Sequence, residues 1–506
     1  MKLNPREYAQ KTGVQMAMLF VGNLLFALLF MMRFGTGWET NDDYVVASIA
    51  SGVYGQSSAY TMFNSFVLGL LLRGLYTMLP GLNWFWVLQL VVVLASYAAV
   101  GWVMMQRLGK RRGMAFYLFF MLASCRTFYF LWNYTRTATL ATSAGALCMI
   151  QGLKTGRNRT PIWIGGVLFF FGFCLRFESW LMAFALVLAY LAGEAIVLFA
   201  VRRTARHPAE WMLSRRKELV ACGIVIVTTL AVFVTEQVVY AQEPWKSYRA
   251  YNRARQELYD YKFPDYDANK DFFDSVNITK EDYEIFFRWN HCDFEKMSLE
   301  VMQQMVEVCG STRQRISPWL VVNAVQRFVE NPMFLLGVVL SLMCLLCTQK
   351  TNWISLAGLY GASIVMLSYL MYVSRFPDRV VSSMGVSFAL LTVGCFSREE
   401  NGAQATQTEL KWQQIGAVSL CALLLFNGRF LCNPNNWRVA KPSDKERVEE
   451  VNKVWAQFEQ DKLYLMNNES NCGYYFKYPI WRAVPRNLEA NLYPWGGWQV
   501  RLPVTD

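Results

Sequence analysis

Long apolar runs separated by short polar breaks dominate this chain. "VQMAMLFVGNLLFALLFMM" from Val14 and "MFLLGVVLSLMCLLC" from Met333 are two of them. A helix needs roughly 20 apolar residues to cross a bilayer, so runs of this kind predict transmembrane helices. The pattern places spans near 14–33, 84–105, 114–131, 137–153, 161–176, 179–201, 218–240, 331–348, 352–373, 378–396 and 413–431. The expected fold is an all-α polytopic membrane protein with about eleven transmembrane helices. Four regions follow from the spacing. Residues 1–240 form an N-terminal transmembrane module, 241–330 an aromatic-rich helical segment, 331–431 the C-terminal transmembrane helices, and 432–506 a tail.

Composition agrees with the pattern. Of 506 residues, 54% are hydrophobic and only 17% charged, with a net charge of +12 and a mean hydropathy of +0.20. In a soluble protein that charge would raise nucleic acid as a partner. Here lysine and arginine concentrate in "QRLGKRRG" (106–113), "KTGRNRT" (154–160) and "VRRTARHPAEWMLSRRK" (201–217). The positive-inside rule explains the excess and assigns these loops to the cytoplasm. All three agree only if the apolar stretch 60–79, "YTMFNSFVLGLLLRGLYTML", does not cross. Arg73 and Pro80 suit an interfacial helix there. Residues 34–83 then form one long outer segment, in a protein of the cell membrane. The N-terminus is expected in the cytoplasm as an uncleaved anchor, the C-terminus outside. The segments 34–83, 241–330 and 432–506 fall together on the outer face.

The candidate chemistry lies on that face. Glu39, Asp42 and Asp43 fall in "WETNDDYVV", where the first span ends. A carboxylate there can act as general base on a hydroxyl, and clustered carboxylates raise one another's pKa. A solvated loop and ion pairs with arginines are the competing explanations. Arg126 and Arg136 in "CRTFYFLWNYTRTATL", Arg176 in "CLRFESW", and Arg375 and Arg379 in "VSRFPDRVV" stand at outer turns, where arginine is under-used. Local pairing with Glu178 or Asp378 explains each singly; five on one face point to an anion site. The planar guanidinium suits phosphate. Arginines holding a lipid phosphate, beside a carboxylate activating a hydroxyl, describe glycosyl transfer from a polyprenyl-phosphate sugar donor to a glycan or lipid-linked acceptor. A transporter or flippase of a lipid-linked or anionic substrate is the alternative; it predicts charges near the midplane and repeats between halves.

The "ETNDD" motif (39–43), in a long first outer loop with a horizontal helix, resembles the GT-C membrane glycosyltransferases. The resemblance is architectural and implies that an aspartate of this loop, Asp42 or Asp43, is the base. It also implies that arginines of later outer loops hold the lipid phosphate. The chain departs from the family in lacking a large C-terminal soluble domain. "YNRARQELYDYKFPDY" and "EDYEIFFRWNHCDFEK" are similar to segments of uncharacterised bacterial membrane proteins, which implies a bacterial source.

The other signals narrow the chemistry. Two histidines make a histidine-based metal site improbable; the acids are able to bind Mg²⁺ or Mn²⁺, but the sequence requires no cofactor. No "GxxxxGK[ST]" occurs, which disfavours ATP-driven pumping. Cys292, Cys309, Cys432 and Cys472 lie outside the spans, with 292–309 and 432–472 as one of three allowed disulfide pairings. The aromatics of 241–330 suit either sugar stacking or a small self-packed cap, as do those of the tail "NLYPWGGWQVRLP".

Overall fold

The computed structural model describes residues 5–156, 158–197, 208–261, 263–308, 317–347, 350–397, 452–459, 461–467 and 478–504, with isolated positions at 419, 422 and 449. Helix α1 (Pro5–Phe34) leads through β1 (Gly37–Trp38) to α2 (Asn41–Ser51) and α3 (Phe66–Met78). Then come α4 (Trp84–Leu108), α5 (Lys110–Cys125) with a π-helical turn Arg126–Phe130, β2 (Leu131–Trp132), α6 (Tyr134–Thr155), α7 (Thr160–Leu175) and α8 (Phe177–Ile196). The short α9 (Pro208–Ser214) precedes α10 (Arg216–Val239), and α11 (Trp245–Tyr259), α12 (Lys270–Ser275), α13 (Lys280–Phe287) and α14 (Leu299–Val308) follow. The chain returns through α15 (Pro318–Glu330), α16 (Pro332–Cys347), β3 (Lys350–Thr351), α17 (Trp353–Tyr372), α18 (Asp378–Gly394) and β4 (Phe396–Ser397), with β5 (Tyr464–Met466) and β6 (Leu492–Pro494) in the tail. Three two-residue or three-residue strand pairs, β1–β2, β3–β4 and β5–β6, are the sheet content among the described residues.

Six described helices are long and apolar enough to cross a membrane: Gln10–Phe34, Trp84–Leu108, Lys110–Phe130, Phe177–Ile196, Arg216–Val239 and Trp353–Tyr372. A seventh arises if α15 and α16, bent by 77° at Asn331, count as one. The sequence pattern predicts about eleven; the remaining helices fall short of the length or apolarity of these six for physical reasons. Helix α6 has 22 residues, but its threonines and serine dilute its apolarity. Every residue of it from Thr137 to Gly152 is buried, and there Thr139 donates to Thr135 O at 3.0 Å and Thr142 to Ala138 O at 2.8 Å. Its hydroxyls are satisfied locally, so lipid-facing apolarity is not needed. Helices α7 and α16 have only 16 residues and α18 has 17. The expected span 413–431 lies outside the described residues.

Helix α6 is the axis of the bundle. A Cβ added to Gly145 would stand 2.5 Å from Gly165 O, and one on Gly165 would stand 2.5 Å from Gly145 O. Only glycine at both positions lets α6 and α7 approach this closely, the small-residue packing expected where helices meet within a membrane.

The two ends of the bundle differ. At one end the basic loops meet. Arg215 Nη2 donates to Lys154 O at 3.2 Å, Lys154 pairs with Glu194, and Arg107 donates to Gly394 O. These cations sit on helix C-termini, where the backbone dipole favours them. The other end carries the long loops. Helix α3 lies along it: Ser65 N–H at its start donates to Cys174 O, and Tyr76 O near its end accepts from Arg486 of the tail. The tail 478–504 straps the first loop, with Asn83 N–H on Trp481 O at 3.2 Å and Glu489 N–H on Val53 O at 3.1 Å. It also reaches the helical segment above, through His291 N–H on Trp495 O at 2.9 Å.

That segment has its own core. Tyr251, Leu258, Phe273, Phe286 and Met302 are buried against one another. A capping box between Thr279 and Asp282 starts α13. The aromatic density of the segment is thus largely spent on internal packing. Cys292 carries a free thiol; Cys309, Cys432 and Cys472 lie outside the described residues.

Candidate functional site

Four helices begin at one place on the capped end. Asp42 and Asp43 lie in the first turn of α2, Tyr134, Thr135 and Arg136 in that of α6, Arg176 is the N-cap of α8, and Arg379 lies in the first turn of α18. Helix N-termini carry partial positive charge, so this convergence favours anions. The pairing of Gly37 and Trp38 with Leu131 and Trp132 pins the first loop to the start of α6. The acidic motif therefore has a fixed position.

Asp43 is fully buried. Its Oδ1 accepts from Tyr134 N–H at 2.9 Å and Gln89 Nε2 at 3.3 Å, and its Oδ2 accepts from Thr40 Oγ1 at 3.2 Å. Burial drives its pKa from 3.8 to about 8, with the charge of Asp42 adding to the rise and these hydrogen bonds opposing it. At neutral pH this carboxyl is mostly protonated, and it fastens α2 to the start of α6.

Asp42 faces the other way. Its side chain is 18% exposed, with Oδ2 at 3.8 Å from Arg379. Oδ1 accepts from Trp498 Nε1 at 3.0 Å. Trp498 belongs to the tail strap; its indole packs edge-on against Phe63 at 4.7 Å, and Tyr248 holds its carbonyl. Of the two aspartates, Asp42 is the one that a substrate can reach.

Arg176 stands beside them. Its Nη1 donates to Tyr134 Oη at 3.0 Å and Thr135 Oγ1 at 2.9 Å, and its Nε lies 3.6 Å from Glu178. The guanidinium also covers the Tyr134 ring at 5.1 Å. Arg136 pairs with Glu39, yet Arg136 Nε and Glu39 Oε2 are buried with no hydrogen-bond partner among the described residues. Arg126 opens the π-helical turn, close enough for its charge to oppose that of Arg136.

The structure thus gathers Asp42, Asp43, Arg176 and Arg379 around Tyr134. Glu39, Arg136 and Arg126 flank them. Arg375 points elsewhere: it pairs with Asp260, at the end of α11, at 2.7 Å and lies over Tyr261. Its role is to tie α18 to the cap. Of the local pairs considered for the arginines, Arg176–Glu178 is present, whereas Arg379 turns to Asp42 and Arg375 to Asp260.

Each carboxylate already has a partner set: arginine for Glu39, arginine and indole for Asp42, and amide and hydroxyl donors for Asp43. They do not converge as metal ligands, and among the described residues no group of three histidines, cysteines or acids does. Sequence reasoning missed Tyr134 and Trp498. Tyr134 was visible beside Arg136 in "WNYTRT", but its centrality depends on the packing of three helices. Trp498 lies 456 positions from Asp42. No family model, curated protein or solved structure matches the chain.

Proposed function

We propose that this protein is a membrane glycosyltransferase that moves a sugar from a polyprenyl-phosphate donor to a hydroxyl acceptor at the outer face. The observation that carries this reading is the juxtaposition of a reachable carboxylate, Asp42, with Arg176 and Arg379 at four converging helix N-termini. Asp42 takes the proton of the acceptor hydroxyl as its oxygen attacks the anomeric carbon. The bond from that carbon to the phosphate oxygen breaks, and polyprenyl phosphate leaves. Arg176 and Arg379, with Arg136 and Arg126 at the edge, stabilise the phosphate charge that develops. Asp43 holds α2 in place without touching substrate. Arg375 positions the cap.

The same reading takes the basic end as cytoplasmic and the capped end as extracytoplasmic. It counts the short helices α7, α16 and α18 and the polar α6 as spans too, in a GT-C-like arrangement. The work would be the assembly of a bacterial cell-envelope glycan. The test is release of free polyprenyl phosphate by purified protein in lipid, given a panel of polyprenyl-phosphate sugars. Donor-dependent release supports the reading. Movement of intact donor across vesicles without release would replace it with the transporter.

A further inference from the structure

A small open groove of about 110 Å³ lies next to this site. It lies between the start of α3, the junction of α7 and α8, the end of α10 and the first turns of α11. Phe63, Phe177 and Phe233 form its apolar wall. Its charged groups are of both signs. Glu178 is exposed and shared with Arg176 at 3.6 Å. Glu236 has one carboxylate oxygen accepting from Phe66 N–H at 2.9 Å. Arg249 lies over the Tyr240 ring at 5.3 Å and has no carboxylate within 4 Å among the described residues. Arg249 and Glu178 both act electrostatically on Glu236, so the three lie in one field. Val227, Leu230, Val234 and Val238 of α10 are exposed alongside, forming an apolar wall suited to lipid.

We propose that this groove binds the zwitterionic headgroup of phosphatidylethanolamine. The phosphate goes to Arg249, whose guanidinium forms no ion pair within 4 Å among the described residues. The primary ammonium goes to Glu178 and Glu236, which accept its N–H groups. The acyl chains lie along α10. A quaternary ammonium has no N–H to donate, and a glycerol headgroup has no cation for the carboxylates, so neither phosphatidylcholine nor phosphatidylglycerol matches all three groups. The inference is independent of the glycosyl-transfer reading.

Native mass spectrometry of the full chain, titrated with short-chain phosphatidylethanolamine, phosphatidylcholine or phosphatidylglycerol, tests it. Phosphatidylethanolamine is expected to bind about tenfold more tightly than either of the others, the worth of one charge-assisted contact. The Glu236→Gln/Arg249→Ala double variant is expected to lose that preference; glutamine keeps the acceptor for Phe66 N–H. Soluble phosphoethanolamine at equal concentration is expected not to compete. Equal binding of the three lipids to the wild type overturns the proposal without recourse to any variant. So does a preference that survives the double substitution, or competition by soluble phosphoethanolamine.

Discussion

Asp43 gives the sharpest link between packing and a measurable quantity. In the folded protein its pKa is about 8, against an ordinary 3.8, with burial as the main cause. The folded carboxyl therefore keeps a proton that the unfolded chain releases above pH 4. Stability from this group is complete at low pH, falls as pH rises past 3.8, and stops falling near 8. Each pH unit costs about 1.4 kcal/mol, so the three units from pH 4 to pH 7 cost about 4 kcal/mol. Asp43→Asn removes the titration and keeps the geometry. Its carbonyl accepts from Tyr134 N–H and Gln89, and its amide nitrogen donates to Thr40 Oγ1. With roughly 2.1 cal/mol/K of unfolding entropy per residue over 506 residues, about 4 kcal/mol corresponds to about 4 °C. Melting followed by intrinsic tryptophan fluorescence from pH 4 to pH 8 is the assay. The variant is expected to match the wild type at pH 4 and to melt about 4 °C higher at pH 7. A difference that stays flat across this range refutes the reasoning, because it means that Asp43 does not change protonation on folding. Asp43→Ala is the control: it strands the Tyr134 N–H and the Gln89 amide and costs about 1–3 kcal/mol for each at every pH.

Three further outcomes are expected. Glu489 is a buried residue of the strap itself, accepts from Tyr44 Oη at 2.7 Å, and is pushed up to about 7 by burial. Its stabilising effect is therefore complete below about pH 4.5 and gone above pH 7, so limited proteolysis of 478–504 is expected to speed up at pH 8 in the wild type but not in Glu489→Gln; equal rates would show that the strap does not sense this carboxyl. Arg375 and Asp260, with side chains 29% and 22% exposed, are expected to show a coupling of about 0.5–1 kcal/mol in a double-mutant cycle of alanine variants followed by melting, and strict additivity would contradict the tie between α18 and the cap. Trp498→Phe removes the donor to Asp42 but keeps an aromatic ring against Phe63, so polyprenyl phosphate release is expected to lose about tenfold in kcat with KM little changed; a loss confined to KM would place the indole on the substrate instead.

The helical, membrane-type character of the chain was legible because it depends on local runs of apolar residues, and α1, α4 and α10 match those runs closely. Helix α6 was harder to size. Its Thr-Ala-Thr pattern reads as weakly apolar, and only its burial among other helices explains why that suffices. The location of the acidic motif was legible as a loop following a span. The choice between Asp42 and Asp43 was not, because adjacent residues on a helix face directions about 100° apart. One turned into the start of α6 and the other towards Arg379. Arg375 was grouped with the other outer-turn arginines, because its partner, Asp260, is 115 positions away. Trp498 was seen as part of an aromatic tail, but nothing in "WGGW" identifies a partner in the first loop.

The central claim is that Asp42 is the base and Asp43 is not. The most direct test is the time course of polyprenyl phosphate release under saturating donor for the wild type, Asp42→Asn and Asp43→Asn, each shown to be folded by melting. The account predicts that Asp42→Asn lowers kcat by about 10²-fold or more, the worth of a general base, while Asp43→Asn stays within tenfold of the wild type. Full activity in Asp42→Asn, or a loss in Asp43→Asn as large as that predicted for Asp42→Asn, would contradict it.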